Sequence, residues 1–83
     1  MGKADKILER VLSGRNDKNI RFDEMCSLLE RLGFSMRTKG SHHVFVKEGI
    51  IEQPNLQKAG SDAKSYQVKQ VRKMILNNKL ELP

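Results

Sequence analysis

The two histidines of this chain, His42 and His43, stand side by side after Gly40-Ser41 and open the apolar run Val44-Phe45-Val46. Histidine titrates near neutrality, with an unperturbed pKa of about 6.5, so it can take a proton from a weak nucleophile at physiological pH. A glycine turn lets a phosphate approach backbone N–H groups that a Cβ would screen. Cations lie close in sequence, with Arg37 and Lys39 before the turn and Lys47 after it. Such parts suit RNA cleavage, because RNA carries its own nucleophile, the 2′-hydroxyl. The protein then supplies a base, positive charge for the developing phosphorane and a proton for the leaving 5′ oxygen.

Adjacent strand residues point to opposite faces, so His42 and His43 cannot both address one phosphate if the strand is regular. A two-histidine acid–base pair is disfavoured on that ground. Pairing across a turn at Glu48-Gly49 sets Val46 by Ile51, Val44 by Gln53 and His42 by Asn55, whose amide would orient the imidazole. The plain alternative is a histidine that only packs or sits on the surface.

Sixteen Lys and Arg against ten Asp and Glu give a net charge of +6. That favours a polyanionic partner, whether nucleic acid, an anionic membrane or an acidic protein. A chain of 83 residues buries only roughly 60 to 65% of its unfolded surface, so any site is shallow. The single Cys26 lies among Met25, Leu28 and Leu29, where it reads as packing on a helix face. One cysteine and two adjacent histidines do not make a tetrahedral zinc site, so neither a metal nor a cofactor is expected. No signal peptide and no run of about 18 apolar residues is visible, which reads as a cytoplasmic protein without a membrane partner.

The elements that must hold the turn follow from periodicity. Ile7, Leu8, Val11 and Leu12 mark a short helix within Lys3 to Ser13, stopped by Gly14. After a polar connector, Met25, Leu28, Leu29 and Leu32 mark a second helix from about Phe22 to Leu32, with Asp23 and Glu24 at its positive end and Gly33 after it. Phe34, Met36 and Thr38 then alternate with Ser35, Arg37 and Lys39, as in a half-buried strand with a basic outer row. His42 to Lys47 is a second strand, and Ile50 to Gln57 a third, in which Pro54 implies an edge or a bulge. Lys58 to Lys64 reads as a polar loop, and Ser65 as the cap of a last helix with Val68, Val71 and Ile75 on one face. The expected fold is α+β in the order α-α-β-β-β-α, a three-stranded antiparallel sheet with helices on one face.

Gly33-Phe34, the run Gly40-Ser41-His42-His43-Val44-Phe45 and the closing segment from Lys64 to Lys73 together resemble the HicA toxins of bacterial and archaeal toxin–antitoxin pairs. The resemblance spans roughly residues 20–77 of one domain covering 1–83, with residues 1–14 as an added amino-terminal helix. It implies a fold like the double-stranded RNA-binding domain, metal-independent cleavage of messenger RNA, and neutralisation by a HicB-type antitoxin encoded alongside. The family's catalytic histidine falls on His42 and its glycine on Gly40. Some members carry the histidine one place later, which keeps His43 in play. The chain lacks the His-Pro that many members carry after the second strand, having Lys47-Glu48-Gly49 instead.

Around that centre the RNA-binding set is Arg37, Lys39, Ser41, Lys47, Lys69 and Lys73. Lys69 and Lys73 also read as a solvated helix face, and Tyr66 as packing or a base-stacking ring. Lys58 and Lys64, with the start of the last helix, read either as phosphate contacts or as an ordinary loop. Two rival functions share these residues: a non-catalytic RNA-binding module, and a basic protein-interaction domain.

Overall fold

The computed structural model describes residues 2–83. Its elements run α1 (Lys3–Ser13), α2 (Phe22–Arg31), β1 (Ser35–Lys39), β2 (His42–Val46), β3 (Asn55–Leu56), β4 (Lys58–Ala59), β5 (Asp62–Ala63) and α3 (Ser65–Asn78). Strands β1, β2 and β3 form an antiparallel sheet in that order, and β4 and β5 form a small separate hairpin. The fold is α+β with three helices and a three-stranded antiparallel sheet, as expected, and is consistent with the double-stranded-RNA-binding type.

The helices begin and end where local chemistry dictates. Gly14, at φ 71°, closes α1 in the left-handed conformation that a residue with a Cβ resists. At the start of α2, the Arg21 N–H donates to Glu24 Oε1 at 3.1 Å, filling one of the helix's open ends. Glu24 also accepts from Arg10 at 2.9 Å, and Arg10 donates onward to the Asn19 carbonyl, so α1, α2 and their connector are tied at one point. Helix α1 is therefore no appendage. Its Ile7 and Val11 lie in the same buried cluster as Met25, Leu28, Leu29, Phe45, Leu56, Val68, Val71 and Ile75.

The sheet departs from the sequence reading in three places. The third strand is two residues long, pairing His43 with Leu56 and Val44 with Asn55, a slip of two residues from the expected register. Pro54 explains it. Having no N–H, it gives the ladder only its carbonyl, which accepts from the Phe45 N–H at 2.8 Å, and residues 50–53 before it join no strand. Strand β1 is exposed along its whole length, Met36 included, because it packs almost wholly on β2 and lies beyond the helices. Residues 58–64 form a hairpin around Gly60-Ser61 rather than a plain loop. In addition, Ser65 is the first residue of α3 and not its cap: Lys64 takes that position, with no side-chain hydrogen bond.

Because α1 contributes to the common core, Ile7→Ala should cost about 2 to 5 kcal/mol in urea unfolding with an unchanged slope. Ile51, 94% exposed, should tolerate the same change within about 0.5 kcal/mol. Equal, small effects at both positions would show that α1 is not part of the cooperative unit.

Candidate active site at the glycine turn

Strands β1 and β2 are joined by the two residues Gly40 and Ser41, since Lys39 pairs directly with His42. Gly40 has φ 61° while Ser41 does not have positive φ, the signature of a hairpin turn that takes glycine at its first central position. A Cβ on Gly40 would meet nothing within 4 Å. Glycine is thus required by the backbone, and the space over the turn is open to an approaching group.

The pleat of β2 separates the histidines. Phe45 is fully buried, so His43, two residues away, shares its inward face, while His42 shares the outward face with Val44. His43 stands edge-on to the Phe22 ring, with centroids 4.8 Å apart and planes at 70°. Its Nδ1 is buried without a hydrogen-bond partner among the described residues. His42 is exposed, and both its ring nitrogens are engaged. Nδ1 lies 3.1 Å from Asn55 Oδ1, and Nε2 lies 3.3 Å from the Gln57 side-chain amide nitrogen. The expected Asn55 contact is present despite the slipped register, because a two-residue slip keeps Asn55 on the same face and makes the contact diagonal.

The direction of these bonds follows from Lys64. Its Nζ, which can only donate, lies 3.2 Å from Gln57 Oε1. The Gln57 amide must then turn its NH2 towards His42, so Nε2 accepts and the ring proton sits on Nδ1, donated to Asn55. The imidazole is held at Nδ1 by Asn55, and its Nε2 faces a weak, displaceable donor. The Gln57 backbone is fixed in turn: its N–H donates to the buried Gln67 Oε1 at 2.7 Å. Gln67 Nε2 donates to the Tyr66 hydroxyl at 3.4 Å, and the Tyr66 ring is half exposed.

Cations gather around this histidine unevenly. Lys39 is its direct cross-strand neighbour, and Arg37 follows on the same outward face opposite Val44. Lys58 and Lys64, with Phe22, Ser41, His43 and Gln57, line a concavity of about 500 Å³ beside the turn. Lys58 Nζ stands 5.4 Å over the Phe22 ring. Lys47 is used elsewhere. It donates to the Leu32 carbonyl at 2.7 Å, closing the end of α2 in the space that the side-chain-free Gly33 leaves. Lys69 and Lys73, one turn apart on α3, border two different depressions, the first with residues 14–19 and the second with Glu52 and Pro54.

Cys26 is no nucleophile here, because burial and then the Glu30 and Asp23 carboxylates push its thiol up to about 11. Among the described residues no three His, Cys, Asp or Glu side chains gather as a metal site, and no helix is long and apolar enough to cross a membrane. The sequence reading missed Gln57, whose role depends on the register that Pro54 imposes. It had placed Lys64 at a possible phosphate site but not in the hydrogen-bond chain to the histidine.

The family described as the HicA toxin of bacterial toxin–antitoxin matches residues 22–75, nearly two thirds of the chain. The protein belongs to the HicA toxin family and is by that membership a toxin of a toxin–antitoxin pair. The match holds the turn, both histidines, Gln57 and Lys64, and leaves α1 and its connector outside. No curated protein and no solved structure matches the chain.

Nitrogen NMR should find His42 as the Nδ1–H tautomer, and Lys64→Met, by freeing Gln57 to flip, should turn it into a mixture. An Nε2–H tautomer in the unaltered protein would break the assigned chain. His43→Phe should be neutral or slightly stabilising in thermal unfolding, since it removes a buried nitrogen that has no partner and keeps the ring contact.

Proposed function

We infer that this toxin is an endoribonuclease acting on messenger RNA without a metal ion, with His42 as its general base. The observation that carries the reading is the imidazole itself: exposed at an open glycine turn, with Asn55 at one ring nitrogen and the Gln57 amide at the other.

A substrate 2′-hydroxyl takes the place of the Gln57 amide at Nε2 and gives up its proton there. The 2′ oxygen attacks the adjacent phosphorus, the bond to the 5′ oxygen breaks, that oxygen takes a proton from solvent water at the open turn, and a 2′,3′-cyclic phosphate is left. The imidazolium formed is stabilised by the Asn55 oxygen, which already accepts from Nδ1–H. Lys39 beside His42, and Lys64 through Gln57, place positive charge next to the phosphorane. The amide displaced from Nε2 remains tethered by Lys64 and can donate to a phosphate oxygen instead. His43, turned inward against Phe22, supports the strand and does not share this proton transfer.

The same exposure suits control by a HicB-type antitoxin. A base on an open turn is blocked by any partner that covers residues 40–43, without deformation of the domain. The cations on the outward face of β1 would meet acidic groups of that partner.

His42→Ala should lower RNA cleavage by about 100- to 10,000-fold with unchanged circular dichroism, while His43→Phe keeps most of the activity. Cleavage should persist in EDTA and leave 2′,3′-cyclic phosphate ends. Full activity in the His42 variant, or 5′-phosphate products, would refute the mechanism. RNA binding without turnover by the unaltered protein would favour a non-catalytic RNA-binding module.

A further inference from the structure

A second basic depression adjoins the first and is built largely by the part of the chain outside the family match. It measures about 330 Å³ and is lined by the connector from Gly14 to Asn19, together with Ser65 and Lys69 of α3. Arg15, Lys18 and Lys69 are exposed there, and none forms a side-chain hydrogen bond or ion pair among the described residues. Asp17, the one carboxylate in the lining, is neutralised. It is buried and accepts from Arg72 Nη1 at 2.9 Å, and the same nitrogen lies 3.2 Å from the Val11 carbonyl. Arg72 thereby clamps the connector onto α3 and leaves three free cations on a fixed frame.

The two depressions are linked through neighbouring residues of the chain. Lys64 lines the first and Ser65 the second. The connector also runs directly into the first: the Ala63 N–H donates to the Ile20 carbonyl at 2.9 Å, the Phe22 N–H to the Ser61 carbonyl at 3.0 Å, and Phe22 is part of the first lining. A basic path therefore leads from Ser41 over Lys58 and Lys64, past Ser65, to Lys69, Lys18 and Arg15. The two linings carry cations and polar groups and no carboxylate besides the paired Asp17, which suits a phosphodiester backbone rather than an apolar ligand.

Resting on the reading that His42 cuts RNA, we propose that the connector Arg15–Lys18 and Lys69 form a subsite for the phosphates of the RNA strand flanking the scissile bond. The subsite holds the strand by charge and sets a minimum substrate length, leaving the chemistry to the turn. For a single strand each phosphate contact contributes about 0.7 to the slope of log affinity against log salt, so three contacts contribute about 2.

The test compares the unaltered protein with the triple variant Arg15→Gln, Lys18→Gln, Lys69→Gln, whose changes are all on exposed side chains. With a single-stranded RNA of about ten nucleotides, the triple variant should lower the salt slope by about 2 and weaken binding roughly 100-fold at 0.1 M salt. KM should rise with kcat kept. With a dinucleotide, too short to reach the subsite, both constants should be unchanged. An unchanged slope on the longer RNA, or an equal loss on the dinucleotide, would overturn the subsite. If the unaltered protein binds but never cuts, the slope still decides on the subsite, so failure of the nuclease reading is told apart. Lost affinity for the co-expressed antitoxin with RNA binding intact would assign the path to that protein and likewise overturn the proposal.

Discussion

The alternation of side chains along β2 is the constraint on which the rest depends. Strand geometry sends neighbours to opposite faces, and Phe45 must point inward because it fills the core between sheet and helices. That one demand turns His43 inward and His42 outward. Two identical residues thereby acquire different environments: one packs on Phe22 with a nitrogen left unpaired, the other meets solvent and two amides. A shift of β2 by one residue would exchange the two roles, and would also expose Phe45.

Lys64 plays a comparable part for the hydrogen bonds. Amides and imidazoles each accept and donate, so Asn55, Gln57 and His42 alone would leave the ring proton undetermined. A donor-only ammonium at one end removes that freedom, and every bond along the chain then has one direction. The residue responsible is the one that caps α3 without a side-chain bond. The hydrogen-bond directions at the turn are thus set, through Gln57, by the residue at which the last helix begins.

Much of this was legible in the sequence, and its failures have physical causes. Helix periodicity placed α1 over Lys3–Ser13, and the glycine after it. The dipeptide Gly40-Ser41 was read as a hairpin turn because long apolar-alternating segments flank it. The same dipeptide at Gly60-Ser61, with the same positive φ at its glycine, was read as a loop. Its strands are two residues each and too short to show a period. The slipped register of β3 was foreshadowed by Pro54 but its size was not, since it depends on where the Pro54 carbonyl meets Phe45. Gln57 was invisible for that reason. Lys47 was grouped with the RNA-binding cations because its charge is plain in sequence, whereas the space over Gly33 that draws it to Leu32 exists only in the fold.

A domain this small has no interior in which to sequester a reaction, so the base of the proposed ribonuclease would have to be prepared at the surface. Water competes there for every hydrogen bond, and a carboxylate would be the stronger partner for an imidazole N–H. The residues bonded to His42 are nevertheless two neutral amides, with a cation behind one of them. A carboxylate at position 55 would hold the ring well but, in the proposed reaction, would set a fixed negative charge beside the phosphate of the RNA. Amides orient without repelling, at the cost of weaker bonds, and the support of Gln57 by Gln67 and Lys64 restores some of the lost rigidity. Amides rather than acids around an exposed histidine are thus what the proposed cleavage of a polyanion would require.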